Sequence, residues 1–261
     1  MINEICTVIS NDEITPGTYL MWLESPEIAR RAQAGQFVMA ACDEETVLRR
    51  PISLHSVDHD TFALLYAVIG KGTEWLTHRE KGGSLDILGP LGNGFNVTKT
   101  PPETLSFLMI AGGIGIAPLR FLIEKVKPSC RQIIVLQGAA TAKKLYLKEL
   151  LPPEVSLTVA TEDGTAGYKG LITDLIPTFA TTADEVFVCG PRPMLKYIAE
   201  NQKALRLTDK PVSISMEMRM ACGLGVCYGC TIRTKNGLKE VCKDGPVFSL
   251  NDVIWDEMAR M

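Results

Sequence analysis

The chain has 261 residues, 46% hydrophobic and 22% charged, with a formal net charge of −3. That length allows about two domains with real cores, and the mild acidity without a Lys/Arg run excludes a nucleic-acid footprint. The N-terminal stretch is acidic without an apolar signal core, and no run reaches the roughly 18 apolar residues of a membrane span, so a soluble, cytoplasmic protein is expected. Residues 1–98 read as β. Short runs of β-formers, Ile5–Ser10, Thr18–Leu23, Gln36–Ala41, Pro51–Ser56, Thr61–Val68 and Ser84–Leu88, alternate with turn signals such as Pro16-Gly17 and Gly82-Gly83. This pattern predicts an antiparallel barrel, with one short helix over Thr73–His78.

Residues 99–212 change rhythm. Strand-length apolar runs at Leu105–Ala111, Arg131–Gly138, Ser156–Ala160 and Glu185–Cys189 are separated by helical stretches at Ala117–Val126, Ala142–Leu150, Leu171–Phe179 and Pro193–Ala204. Such alternation predicts a doubly wound parallel sheet, so the fold class is mixed β and α/β. Pro101-Pro102 marks the expected boundary. Residues 213–261 are too few for a conventional core, hold four cysteines and many glycines, and are expected to be organised by a cofactor.

Within the barrel, Arg50-Pro51-Ile52-Ser53 places an arginine and a hydroxyl three residues apart at the head of a strand, a pair that can hold a phosphate and orient a ring. The alternative is a solvated surface charge. Ala67, Val68 and Ile69 end another strand, and Gly72-Thr73 offers amides at a helix start, again suited to phosphate. Further on, Gly112, Gly113 and Gly115 form a turn from strand to helix, with Pro118 in the first helical turn. Such a turn brings backbone amides up to a pyrophosphate. It departs from G-x-G-x-x-G, and a glycine turn also serves simply to pack a helix on a strand. Glu162-Asp163-Gly164 reads as an exposed turn after a strand. Gly138–Thr141 lacks an arginine for a 2′-phosphate, which favours NAD over NADP, although Lys143 and Lys144 lie close. His55, His59 and His78 form no ligand set and are expected to be structural or exposed.

The C-terminal cysteines are spaced Cys222-x4-Cys227-x2-Cys230-x11-Cys242. Four thiolates in that run are the arrangement of plant-type [2Fe–2S] proteins. Zinc is the alternative, but zinc knuckles pair two C-x2-C units and only one is present. Disulfides are disfavoured in a cytoplasmic chain. Cys6, Cys42 and Cys130 carry no assignable role beyond packing.

Together these motifs resemble the ferredoxin–NADP reductase superfamily. Arg50-Pro51-Ile52-Ser53 is similar to its flavin motif. Gly112-Gly113-Ile114-Gly115 with Ala117-Pro118 is similar to its nicotinamide-nucleotide loop. Cys189-Gly190-Pro191 with Met194 is similar to its turn beside the nicotinamide. The order of segments, with Arg219–Gly223 opening the cysteine segment and Asp244–Phe248 closing it, resembles the electron-transfer subunits of class 1B dihydroorotate dehydrogenases along the whole chain. The resemblance implies an NAD-linked oxidoreductase subunit with FAD, NAD and one [2Fe–2S] cluster, and an FMN-bearing partner that oxidises dihydroorotate, two of each subunit. It implies FAD contacts from Arg50, Pro51, Ile52, Ser53, Ala67, Val68, Ile69, Gly72 and Thr73, nicotinamide contacts at Cys189 and Gly190, and cluster ligation by Cys222, Cys227, Cys230 and Cys242. A flavin exchanges a hydride for single electrons and so belongs between the nicotinamide and the cluster. No residue here need act as a general base. The rival readings are another flavin and iron–sulfur subunit of the superfamily, such as a reduced-ferredoxin:NADP or hydrogenase-associated one, and a non-enzymatic zinc-stabilised binding module.

Overall fold

The computed structural model describes residues 1–43, 47–97 and 104–256. Six strands close into an antiparallel barrel in the order β1-β2-β5-β4-β3-β6. They are β1 (Ile2–Thr15), β2 (Thr18–Glu24), β3 (Phe37–Ala40), β4 (Arg50–Asp58), β5 (Thr61–Ala67) and β6 (Ser84–Leu91). Their inward residues, among them Val8, Leu23, Val38, Leu54, Leu64 and Ile87, are fully buried. Closure gives every strand of the barrel two neighbours. Helix α1 (Pro26–Arg31) was not foreseen. Ser25 caps it by accepting from the Ile28 amide at 3.1 Å, and Pro26 occupies the first turn. Helix α2 (Lys71–Thr77) is the short helix expected near Thr73.

The second unit is a seven-stranded sheet in the order β10-β9-β8-β7-β11-β12-β15. Its strands are β7 (Ser106–Gly112), β8 (Gln132–Ala139), β9 (Ser156–Thr161), β10 (Tyr168–Lys169), β11 (Glu185–Cys189), β12 (Val212–Ser215) and, later in the chain, β15 (Val247–Ser249). All neighbouring pairs are parallel except β12 with β15. Helices α3 (Ile116–Val126), α4 (Ile176–Ala180) and α5 (Arg192–Glu200) connect them. Every residue of β7 and β11 is buried, as parallel strands covered on both faces require. The chain runs outward from β7 through β8, β9 and β10, then returns to lay β11 on the other side of β7. The strand order therefore reverses between β7 and β11, the place where such sheets take ligands.

The helix expected over Ala142–Leu150 is not formed. Two short 3-10 turns, Ala142–Lys144 and Lys148–Leu150, flank an extended stretch. Tertiary contacts have captured this segment against its helix propensity. The Lys144 ammonium donates to the Pro16 carbonyl at 2.6 Å, and Arg120 Nε donates to the Leu150 carbonyl at 2.7 Å. Helix Leu171–Phe179 begins as a 3-10 turn, Ile172–Leu175, before α4. Pro101-Pro102 falls outside the described residues.

The C-terminal segment contains regular elements of its own. Strands β13 (Thr231–Thr234) and β14 (Gly237–Glu240) form a hairpin, and β15 extends the nucleotide sheet. Met216, Ile232, Val241, Leu250 and Val253 share one buried cluster with that sheet and with Phe37, Met39 and Leu91 of the barrel. The stretch from Cys222 to Cys230 lies within a run, 216–230, that has no helix or strand. Phe95, just after β6, packs edge-on to Phe187 at 5.6 Å between ring centres, and Phe187 meets Phe107 at 5.8 Å. Each such pair adds about 1 kcal/mol beyond its burial, so the barrel and sheet share an apolar seam.

Candidate functional site

The first part of the site lies where the barrel ladder ends. Pairing of β4 with β5 stops at Leu54 opposite Leu64. The head of β4, Arg50–Ser53, and the tail of β5, Leu65–Ala67, keep only their outer partners β3 and β2. All nine residues expected at the flavin therefore belong to two neighbouring strand ends and the turn into α2. Gly72 packs on Arg50: a Cβ there would lie 2.6 Å from the guanidinium Nε. Two electropositive groups, the guanidinium and the amide end of α2, thus meet at one point, a cradle that suits a phosphate. The Arg50 guanidinium also donates to the Leu48 carbonyl. Ile69 is 88% exposed and presents an apolar face beside the cradle. The Thr73 hydroxyl is spent on the turn, donating to the Gly70 carbonyl at 3.0 Å and accepting from the Ile69 amide at 2.9 Å. Thr73 shapes the cradle and leaves its hydroxyl no proton to give a ligand. The neighbouring Arg49 is purely structural, paired with Asp86 at 2.6 Å and donating to Asn3.

The second part lies at the strand-order reversal. The turn Gly112–Gly115 and the turn Cys189–Met194 end adjacent strands, with Ala111 opposite Cys189. The glycines differ in purpose. A Cβ on Gly112 would press on Met194 Sδ and Pro191 at 2.8 Å, and one on Gly115 would strike the Cys189 carbonyl. A Cβ on Gly190 would press on Met194 at 2.5 Å. These three are small so that the turns can interlock. Gly113 alone faces open space, with φ +54. Pro118 is buried in the first turn of α3. Cys189 is 1% exposed, and burial holds its thiol protonated, with the nearby Glu217 carboxylate acting the same way against a Ser215 hydrogen bond. It is therefore no nucleophile at neutral pH. Sequence reasoning passed over Glu217, which follows β12 and whose carboxyl is pushed up by desolvation. Glu162 and Asp163 lie exposed beyond β9, tied to Ala139 and Ala140 by backbone hydrogen bonds.

The third part is the cysteine loop. Each of the four sulfurs accepts a backbone N–H. Leu224 donates to Cys222 at 3.3 Å, Gly229 to Cys227 at 3.5 Å, Cys242 to Cys230 at 3.4 Å and Gly225 to Cys242 at 3.1 Å. Such bonds stabilise thiolates. Gly223 and Gly225 take φ of +71 and +76 to aim the loop amides inward. Among the described residues no three potential ligands converge on one metal position. The thiols form two pairs, Cys222 with Cys227 and Cys230 with Cys242. Burial pushes the Cys222 thiol up, but the amides of Leu224 and Val226 and the Cys227 thiol outweigh it and bring it down. Burial and the Cys230 neighbour push Cys242 up. A Cβ on Gly223 would press on Met39 at 2.7 Å, so the loop rests on barrel strand β3.

Known proteins agree with this arrangement. The iron–sulfur cluster binding domain of dihydroorotate dehydrogenase B matches residues 217–254, which contain all four cysteines. The oxidoreductase NAD-binding domain matches residues 109–200, from the glycine turn through α5. The dihydroorotate dehydrogenase B (NAD(+)) electron transfer subunit of Geobacillus kaustophilus (strain HTA426) is 35% identical over 96% of this chain and 98% of its own. The chain belongs to that family. Another dihydroorotate dehydrogenase B electron transfer subunit, from Desulforamulus reducens (strain ATCC BAA-1160 / DSM 100696 / MI-1), is 36% identical over 93% of this chain and 95% of its own. Among solved structures, a chain of an NADH-dependent reduced ferredoxin-NADP oxidoreductase superposes with a TM-score of 0.87 at 27% identity, over 98% of this chain and 92% of that one. A ferredoxin NADP+ reductase from Neisseria gonorrhoeae with bound FAD and NADP shares the fold, with a TM-score of 0.64 at 18% identity over 78% of this chain and 91% of its own. As a dihydroorotate dehydrogenase B electron-transfer subunit, the chain is one component of an oxidoreductase that includes a catalytic subunit. Among the described residues, no helix is long and apolar enough to cross a membrane.

Proposed function

We propose that the chain carries electrons between an FMN-bearing, dihydroorotate-oxidising catalytic subunit and NAD⁺, in pyrimidine biosynthesis in the cytoplasm. The observation that carries this reading is the cysteine loop: four thiols in the [2Fe–2S] spacing, each receiving a backbone N–H, inside the segment matched by the family's iron–sulfur domain. When bound, the cluster would supply single electrons, and FAD would combine two of them with a proton into the hydride that NAD⁺ takes.

The chain's own residues hold and orient these groups. Cys222, Cys227, Cys230 and Cys242 ligate the cluster, their two pairs matching the needs of two irons. Arg50 and the amides at Gly72 and Thr73 hold the FAD pyrophosphate. Pro51, Ile52, Ser53, Ala67, Val68 and Ile69 line the flavin. Gly113 admits the NAD pyrophosphate to the end of α3, while Gly112, Gly115 and Pro118 shape that turn, and Cys189 and Gly190 border the nicotinamide. Selection of NAD over NADP is supported by Lys144, whose ammonium is held by the Pro16 carbonyl across the domain seam. In this reading residues 1–98 serve the flavin, 99–212 the nicotinamide and 213–261 the cluster, and the assembly contains two of each subunit.

The likeness to a reduced ferredoxin-NADP oxidoreductase chain, over 98% of this one, supports a second reading as a subunit of that kind of enzyme. Anaerobic purification with iron, sulfide, zinc and flavin analysis tests both. About two irons and one FAD per chain are expected, and Cys227→Ser should lose the cluster signal while keeping FAD. Zinc without flavin would leave only a zinc-stabilised binding module. A stable complex with an FMN dihydroorotate subunit separates the first reading from the second.

A further inference from the structure

The seam between barrel and sheet contains a buried polar bridge that no step above uses. His55 lies on β4, two residues beyond Ser53, and is 2% exposed. Its Nδ1 lies 3.2 Å from the Ala117 carbonyl and its Nε2 lies 3.0 Å from the Tyr146 hydroxyl. A carbonyl only accepts, so Nδ1 carries the proton, Nε2 is the acceptor, and the Tyr146 O–H donates to it. The tautomer is fixed by its partners. Beside it, the Ser56 hydroxyl donates to both Glu124 oxygens at 2.8 and 2.9 Å, and Glu124 pairs with Arg120 at 2.6 Å.

Three features distinguish this bridge from ordinary packing. His55 is the extra residue where the β4–β5 register slips between Leu54 and Ser56, and such bulges re-aim a side chain beside functional sites. Its acceptor, Ala117, lies one residue into α3, the helix that follows the glycine turn. Its other partner, Tyr146, stands in the extended stretch held between Lys144 on Pro16 and Leu150 on Arg120. One strand thus carries Arg50 and Ser53 toward the flavin cradle and His55 toward the start of the nucleotide helix.

We propose that His55 and Tyr146 are positioning residues: bridged to the Ala117 carbonyl, they fix the nucleotide helix relative to the flavin strand and so set the approach of nicotinamide to flavin. This rests on the functional reading given above. Neither residue is among those assigned above to FAD or NAD. The residues assigned above to NAD all lie in the sheet unit, whereas hydride transfer depends on the register between the two units, and a misplacement of 1 Å can cost as much as a hundredfold in rate.

The test is anaerobic stopped-flow reduction of the FAD in the full-length protein by NADH, wild type against Tyr146→Phe, which keeps the ring and removes the bond. The expected result is a hydride-transfer rate at saturating NADH reduced about tenfold, with the NADH dissociation constant within a factor of about two and a weakened long-wavelength nicotinamide–flavin absorbance. Ser56→Ala, cutting the neighbouring bond to Glu124, is read in the same way and should slow transfer in the same direction, so a Tyr146→Phe chain that fails to fold leaves the proposal testable. A folded variant with a lower melting temperature and a wild-type transfer rate would make the bridge purely structural and overturn the proposal. A wild-type flavin that NADH does not reduce would remove the functional reading, and this proposal with it.

Discussion

At the scale of single residues, His55 shows how burial fixes chemistry. Desolvation, aided by the Arg120 charge and opposed by the hydrogen bond to Ala117, pushes its imidazole down to about 3. The folded protein therefore keeps it neutral where the unfolded chain, with a value near 6.5, takes up a proton. A lowered folded value means that stability is full above the unfolded value and is lost as pH falls toward the folded one. Between pH 7 and pH 5 this residue alone should remove about 2 kcal/mol. Urea unfolding at both pH values checks it: His55→Gln, lower in stability at pH 7, should lose about 2 kcal/mol less than wild type over that interval. An equal loss in both would show that other groups set the acid response. From the sequence, His55 could be read only as a structural or exposed histidine. Its partners lie 62 and 91 positions away, beyond any periodicity, and the bulge that aims it leaves no mark in the composition of β4.

At the scale of elements, the glycine turn after β7 separates folding from binding. Gly115→Ala would force a methyl group onto the Cys189 carbonyl, a backbone atom that cannot swing aside. It should cost about 2 kcal/mol, as overpacking does, and lower the thermal midpoint with or without NADH. Gly113→Ala meets open space and only a left-handed backbone. It should cost about 1 kcal/mol but weaken NADH binding more than tenfold, measured by titration calorimetry. Equal effects of both variants on stability and binding would refute this division of roles. The turn itself was legible in the sequence because glycine, proline and the switch from strand to helix period are local signals. The barrel strands, the parallel strands and the cysteine spacing were legible for the same reason. The segment Ala142–Leu150 was not: its residues favour helix, but Lys144, Tyr146 and Leu150 are each held by a distant partner. Helix α1 was missed although Ser25-Pro26 is a sound start signal, because it spans only six residues.

At the scale of the whole molecule, the cysteine loop lies at the surface, and its apolar residues face outward. Val226 and Tyr228 are 69% and 70% exposed, on either side of Cys227. Apolar side chains displayed around an electron-transfer centre suit a partner's contact surface. Tyr228→Ser should weaken the complex with the catalytic subunit at least tenfold, about 1.4 kcal/mol, in size-exclusion or calorimetric titration, with iron and FAD content unchanged. An undiminished complex would direct attention to another face. Strand β15 has a different consequence. The nucleotide sheet ends on one side in β10, only two residues long, and on the other in β15, which pairs along β12 beside the buried Val212 and Ile214. The cluster-bearing segment is thus also the selvedge of the sheet. A chain shortened to its flavin and nicotinamide parts would not be a simpler reductase but a frayed one, with the apolar border of β12 open to any other strand. Electron delivery and protection from aggregation have become properties of the same stretch of chain, and neither can be discarded alone.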